Sequence, residues 1–233
     1  MDNSKSTLSA FIVGVSGGID SALVSKLCAL TGKKTIVITL PIRSPDISLS
    51  LLHCNQLVDD HSNVSHYKID MSKIYDSFES DFTDLGFSSD LGLANTKARM
   101  RMIALYQIAA SSSGIVVGTG NKVEDFGVGF YTKYGDGGVD ISPIADLTKS
   151  EVRSLATYLN IHQDIIKAPP TDGLWEDGRN DEDQLGLSYE EIEEAMSNPS
   201  SKHYQKYVEI RKDNLHKMNP IPVCIIDEKL KTS

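Results

Sequence analysis

Residues able to do chemistry gather first in the segment Gly14-Val-Ser-Gly-Gly-Ile-Asp-Ser21. Gly17 and Gly18 let the backbone approach an anion closely, and Ser16 and Ser21 add hydroxyl donors. A helix opening just after them adds free N–H groups and the positive end of its dipole, so the segment reads as a phosphate cradle. It lacks the Gly-Lys-Ser/Thr ending of a Walker A loop. Asp20 stands in the cradle instead. A carboxylate beside a polyphosphate is repulsive unless a cation lies between them, which implies Mg²⁺. Two other readings fit the same residues. The segment could be a glycine-rich turn in which Asp20 is only a favourable first-turn charge, worth about 0.3–1 kcal/mol. Gly14-Val-Ser16-Gly-Gly18 also matches G-x-S-x-G, the nucleophile elbow of α/β-hydrolases. Asp140 followed by His162 or His216 would then complete a triad, with Asp20 and Ser21 left unexplained.

The elements around the loop fit a site at the carboxyl end of a parallel sheet. Residues 11–15 form a short apolar run like a buried strand, and residues 20–30 carry a helical stripe that ends at Gly32. Further strands are expected at 35–40, 66–70 and 115–117, with helices at 49–60, 72–82, 95–111 and 151–159. Ser150 or Thr148 caps the last of these, and Ser188 with Glu191 forms a capping box for another helix. This alternation predicts an α/β fold: a doubly wound, Rossmann-like parallel sheet with helices on both faces, in a single domain over residues 1–233. The ends, residues 1–10 and 229–233, are expected to be flexible. Segments 124–142 and 168–186 read as long functional loops.

Composition narrows the class. No apolar run approaches the ~18 residues of a membrane helix, and the polar start has no signal-peptide core, so a cytoplasmic location and no membrane partner are expected. Three scattered cysteines, Cys28, Cys54 and Cys224, argue against a disulfide framework, a zinc ribbon or a dithiol redox site. The net charge is −9, and residues 171–200, with ten acids and one Arg, account for all of it. That argues against a nucleic-acid partner. An anionic substrate must then be held by local cations, backbone N–H groups or metal.

The loop Ser16-Gly-Gly-Ile-Asp-Ser21 resembles the pyrophosphate loop of the N-type ATP pyrophosphatases, the superfamily of adenine nucleotide alpha hydrolase-like fold. A second block looks very like the ammonia-dependent NAD synthetases within it. The block comprises Gly118-Thr-Gly-Asn-Lys-Val-Glu124, Gly129-Phe-Tyr-Thr-Lys-Tyr-Gly-Asp-Gly-Gly-Val-Asp140, Pro143 and Leu147-Thr-Lys149. Lys97-Ala-Arg99, Pro169-Pro-Thr171, Gly173-Leu-Trp175 and His216-Lys217 extend the resemblance over residues 11–222.

The resemblance implies an ATP site made of Gly14, Val15, Ser16, Gly17, Gly18, Ile19, Asp20, Ser21, Thr119, Lys149 and Thr171. It implies Mg²⁺ on Asp20 and Glu124, and deamido-NAD on Arg99, Lys133, Asp140, His216 and Lys217. Asp20, Lys149 and Asp140 are the catalytic candidates, with Asp140 a helper in deprotonating ammonium. The implied activity is NAD biosynthesis by ATP-dependent amidation of deamido-NAD with ammonia through an NAD-adenylate, in a homodimer with pockets at the interface. Another amidating ATP pyrophosphatase, the Ser16 hydrolase and a non-catalytic nucleotide-binding module remain the alternatives. Two departures stand out. Only about ten residues precede the first strand, and the Glu124-to-Lys133 interval is one residue longer than in many relatives. The length leaves no room for an amidase domain, so free ammonia is the expected nitrogen source.

Overall fold

A computed structural model describes residues 9–44, 46–171, 173–175 and 179–226. Four parallel strands form its sheet: β1 (Ala10–Gly14), β2 (Lys34–Thr39), β3 (Val64–Lys68) and β4 (Gly114–Val116), in the order β3-β2-β1-β4. Each lies within two residues of its expected position. Around them run α1 (Ile19–Leu30), α2 (Ser48–Asp60), α3 (Ser72–Asp84), α4 (Asp90–Ser111) and α5 (Lys149–Tyr158). Then come α6 (Gln163–Lys167), α7 (Asp181–Leu185), α8 (Tyr189–Ser197) and α9 (Tyr204–Met218).

Alternate strand residues face opposite sides of a sheet, and here each side buries its own partners. Val13 and Val37 pack with Leu23 of α1, Leu57 of α2 and Val152 of α5. Ile12, Ile36 and Ile38 pack with Tyr75 of α3 and with Met102 and Leu105 of α4. The sheet is therefore covered on both faces, as a doubly wound fold requires. The chain steps outward from β1 to β2 and β3, then returns through α4 to set β4 on the other side of β1. That reversal is the switch point at which open α/β sheets hold ligands, outside the carboxyl ends of their strands.

Some boundaries differ from the sequence expectation. Helix α4 starts at Asp90, five residues earlier than expected, because the Ser89 hydroxyl accepts from Gly92 N–H. Thr148, not Ser150, caps α5, in a capping box with Glu151. Ser188 and Glu191 cap α8 as expected. Of the expected flexible ends, residues 1–8 and 229–233 lie outside the described residues. Ala10, in contrast, is buried in β1, and Ser9 N–H donates to Ser113 O. The 124–142 segment does not begin as a loop: residues Lys122–Val128 form a π-helix. Helix α9 has no fully buried residue and meets the core through the partly buried Tyr207 and Ile210, so its apolar face was too weak to read from the sequence. A third apolar cluster holds these pieces together, joining Val123 and Val128 of the π-helix to Leu185, Tyr189 and Ile192.

His53 on α2 gives the fold a pH-dependent stability. Its side chain is 2% exposed, its Nε2 lies 2.9 Å from Ser25 Oγ, and burial pushes its pKa down to about 4. The unfolded chain takes up this proton near pH 6.5 and the folded protein only near 4, so the contribution is full above 6.5 and shrinks toward 4. Urea denaturation should show stability about 2 kcal/mol lower at pH 5 than at pH 7 from this group. His53→Gln should remove that part of the slope.

Candidate active site

The cradle forms at the carboxyl end of β1 and runs into α1. Gly17 takes φ +98°, and a Cβ there would lie 3.0 Å from Ser50 N, so the position requires glycine. Ser21 Oγ donates to Gly18 O and accepts from Ser16 N–H, and Ser16 Oγ accepts from Gly18 N–H at 3.2 Å. The loop thereby fixes its own hydroxyls and leaves a concave backbone. It lines a cleft of about 460 Å³ together with Thr119 after β4, Lys149 at the head of α5, and Thr171. All the sequence-predicted ATP residues meet in that cleft.

Lys149 joins the parts. It is the first residue of α5, where the positive end of the helix dipole ordinarily disfavours a cation by about 0.3–1 kcal/mol. Two carboxylates outweigh this. Lys149 Nζ donates to Asp20 Oδ2 at 2.6 Å and to Glu124 Oε1 at 3.0 Å, and its side chain is only 4% exposed. Burial works against the ammonium, but Glu124 and Asp20 more than offset it and raise its pKa, so Lys149 stays charged.

The two carboxylates are themselves held. Asn121 Nδ2 donates to Asp20 Oδ1 at 2.9 Å, while its Oδ1 caps the π-helix by accepting from Val123 and Glu124 N–H. Tyr189 OH donates to Glu124 Oε1 at 2.5 Å and lies 3.2 Å from Asp181 Oδ2. Burial and the neighbouring carboxylates push the Tyr189 pKa upward, so the phenol stays protonated. Neither Asn121 nor Tyr189 was singled out from sequence. Asn121 offered a signal as a capping residue ahead of a turn; Tyr189 offered none, because it reads only as the first residue of the helix that Ser188 caps. Arg101 was missed as well: it lines the cleft and donates from Nε to Leu40 O.

A π turn holds about one residue more than an α turn, and this one spans Lys122–Val128, so that Glu124 and Asp125 lie in its first turn. It also aims Asp125 into the cleft, against Gly120. Burial first, and then the charges of Glu124, Asp136 and Asp20, push the Asp125 carboxyl up to about 8.

Four of the predicted substrate residues lie together, outside the lining of this cleft. Arg99 Nε donates to Lys133 O, Lys133 Nζ to His216 O at 2.8 Å, and Lys217 Nζ to Gly129 O at 2.9 Å. Helix α9 therefore delivers His216 and Lys217 to the Lys133 loop, and Arg211 Nη1 anchors that helix on the carbonyls of Phe126 and Gly127. Asp140 stands apart from these four. Its Oδ2 accepts from Val116 N–H and its Oδ1 from Tyr106 OH, so the carboxylate fastens the chain to β4 and α4. The hydrolase triad is not assembled either. His162 Nδ1 accepts from Asp164 N–H, His216 Nδ1 lies by Asp213 O, and Ser16 Oγ bonds within its own loop.

Mg²⁺ fits the donors present. Among the described residues no three His, Cys, Asp or Glu side chains gather to enclose a metal by themselves. Asp20 and Glu124 nevertheless converge on one cationic point, now filled by Lys149 Nζ. One or two carboxylates completed by substrate phosphate oxygens are the usual Mg²⁺ arrangement.

Comparison with known proteins points one way. The profile of the family described as NAD synthase matches residues 3–223. The NH(3)-dependent NAD(+) synthetase of Mesoplasma florum is 35% identical over 218 residues, covering 92% of this chain and 86% of that protein. Among solved structures, NMN synthetase from Francisella tularensis superposes with a TM-score of 0.85 at 32% identity, covering 94% of this chain and 91% of its own. NH3-dependent NAD synthetase from Campylobacter jejuni superposes at 0.73 with 27% identity, covering 95% and 92%.

Breaking the buried ion cluster should be costly. Lys149→Met leaves Asp20 and Glu124 facing each other without a cation, which should destabilise the protein by about 3–5 kcal/mol in EDTA. Thermal melts should also show Mg²⁺ stabilising the variant more than the wild type, since only the variant has that position free.

Proposed function

The chain belongs to the NAD synthase family, and we propose that its cleft carries out ATP-dependent amidation of deamido-NAD with ammonia, yielding NAD, AMP and pyrophosphate. On this reading it is a carbon–nitrogen ligase with ATP as a substrate. The observation that carries the proposal is the Lys149 ammonium set between Asp20 and Glu124 at the mouth of the cradle. It brings a permanent cation and two metal-ligating carboxylates to where a triphosphate would lie.

The chemistry follows from these positions. Cradle N–H groups and the start of α1 hold the phosphates, with Thr119 and Thr171 on the cleft wall. Mg²⁺, held by Asp20 and Glu124, supplies neutralisation of phosphate charge when bound. Lys149 stabilises the negative charge that builds on departing pyrophosphate. Arg99, Lys133, His216 and Lys217 hold the diphosphate and nicotinate carboxylate of the second substrate and turn the carboxylate toward the α-phosphorus. The carboxylate displaces pyrophosphate to form an acyl-adenylate; ammonia then adds to the activated carbonyl, loses a proton and expels AMP. Most of the rate enhancement is positioning and electrostatics, as in phosphoryl transfer generally. Asp140 keeps the β4 end in place and is the candidate for taking the ammonium proton.

A second reading has its own support. The Francisella protein, named for NMN synthesis, superposes at 0.85 against 0.73 for the Campylobacter enzyme. The same amidation on the mononucleotide, nicotinate ribose phosphate, fits this cleft too.

A homodimer and a cytoplasmic location belong to the same proposal. No helix among the described residues is long and apolar enough to cross a membrane. Ile74, Leu85, Phe87, Leu91 and Ile103, on α3, α4 and the turn between them, are each at least 60% exposed. Large exposed apolar side chains in such number mark an association surface.

Incubation with Mg-ATP, ammonium and each acid in turn should form AMP and the amide in equal amounts, and the preferred acid identifies the substrate. Absence of AMP with both would refute the ligase assignment. Asp20→Asn and Glu124→Gln should each lower kcat at least a hundredfold, whereas Ser16→Ala should retain most activity. Light scattering should give the mass of a dimer, and Phe87→Glu with Ile103→Glu should shift it toward monomer.

A further inference from the structure

Tyr189 is completely buried, yet its hydroxyl faces the charged end of the site. It donates to the same Glu124 oxygen, Oε1, that receives Lys149 Nζ. Its ring also lies under that ammonium, with Nζ 4.7 Å from the ring centroid. Tyr189 is the first residue of α8, and its backbone N–H donates to Glu182 Oε1 at 2.9 Å. The ring packs in the cluster that also holds Val123 and Val128 of the π-helix. The hydroxyl is thus placed by two independent fixtures.

The space between Asp20 and Glu124 cannot hold an ammonium and a dication together, because like charges so close repel strongly. When a metal occupies it, Lys149 gives up Glu124, and Tyr189 remains as the hydroxyl donor to that carboxylate among the described residues. We propose that Tyr189 is a positioning residue for the metal site, holding Glu124 in its ligating orientation once Lys149 has moved to phosphate. This rests on the assignment of Glu124 as a metal ligand. Residues that orient ligating carboxylates typically contribute a factor of about 10–100 in metal affinity.

The test compares affinity for the Mn²⁺–ATP complex, followed by water-proton relaxation, with affinity for metal-free ATP in EDTA, both without the acid substrate. The ratio isolates the metal contact. Tyr189→Phe should cut the ratio about tenfold or more, with metal-free ATP affinity unchanged. Glu124→Gln should cut it further. Ile192→Val, which loosens the same core without touching the hydroxyl, should lower the melting temperature and leave the ratio alone. An unchanged ratio in Tyr189→Phe, with a reduced one in Glu124→Gln, overturns the role of Tyr189. An unchanged ratio in Glu124→Gln overturns the metal assignment itself. A fall in Ile192→Val equal to that in Tyr189→Phe overturns the proposal by showing that packing, not the hydroxyl, matters.

Discussion

One buried ammonium holds the catalytic half of this protein together. Lys149 bonds Asp20, 129 residues earlier in the chain, and Glu124, 25 residues earlier. Each partner comes from a different structure: the start of α1, the π-helix and the start of α5. Helices α1 and α5 already pack together through Leu23 and Val152, and the ion cluster ties the π-helix to their N-terminal ends. Such a cluster is stable only when every member is paired and bonded, because an unpaired charge in that setting is strongly destabilising. Asn121 and Tyr189 supply the remaining bonds, so the constraint spreads outward through neutral side chains.

The acidic segment takes on a different meaning in that light. Asp181, within it, lines the cleft, and Tyr189, also within it, donates to Glu124. The predominance of acids over residues 171–200 is therefore partly a property of the site and not only of a covering loop. A concentration of carboxylates there favours bound cations, which offsets the repulsion an approaching triphosphate would meet.

Local chemistry was readable from the sequence, and geometry between distant segments was not. Gly17, Asp20 and the strand–turn–helix context identified the cradle because backbone freedom and charge are written in residue type. Strands β1 and β2 were legible because burial on both faces leaves continuous apolar runs, whereas β3 has only Val64 buried. Asp140 was legible as a carboxylate suited to proton transfer, but not as the anchor that Val116 N–H and Tyr106 OH make of it. Helix α9 was illegible because its apolar contacts, Tyr207 and Ile210, are only partly buried and Arg211 and Lys217 add bonds to backbone carbonyls that leave no periodicity. The π-helix that carries Asp125 to the cleft had no signature in residue type.

The shallow seating of α9 gives the molecule two regions of unequal firmness. The glycine loop follows β1, among the most deeply buried residues described. Helix α9, which carries His216 and Lys217, has no fully buried side chain and rests on the third cluster through the partly buried Tyr207 and Ile210. Segments with few buried apolar contacts open at a lower free energy than the core. Local opening is therefore easier at α9 than at the loop after β1.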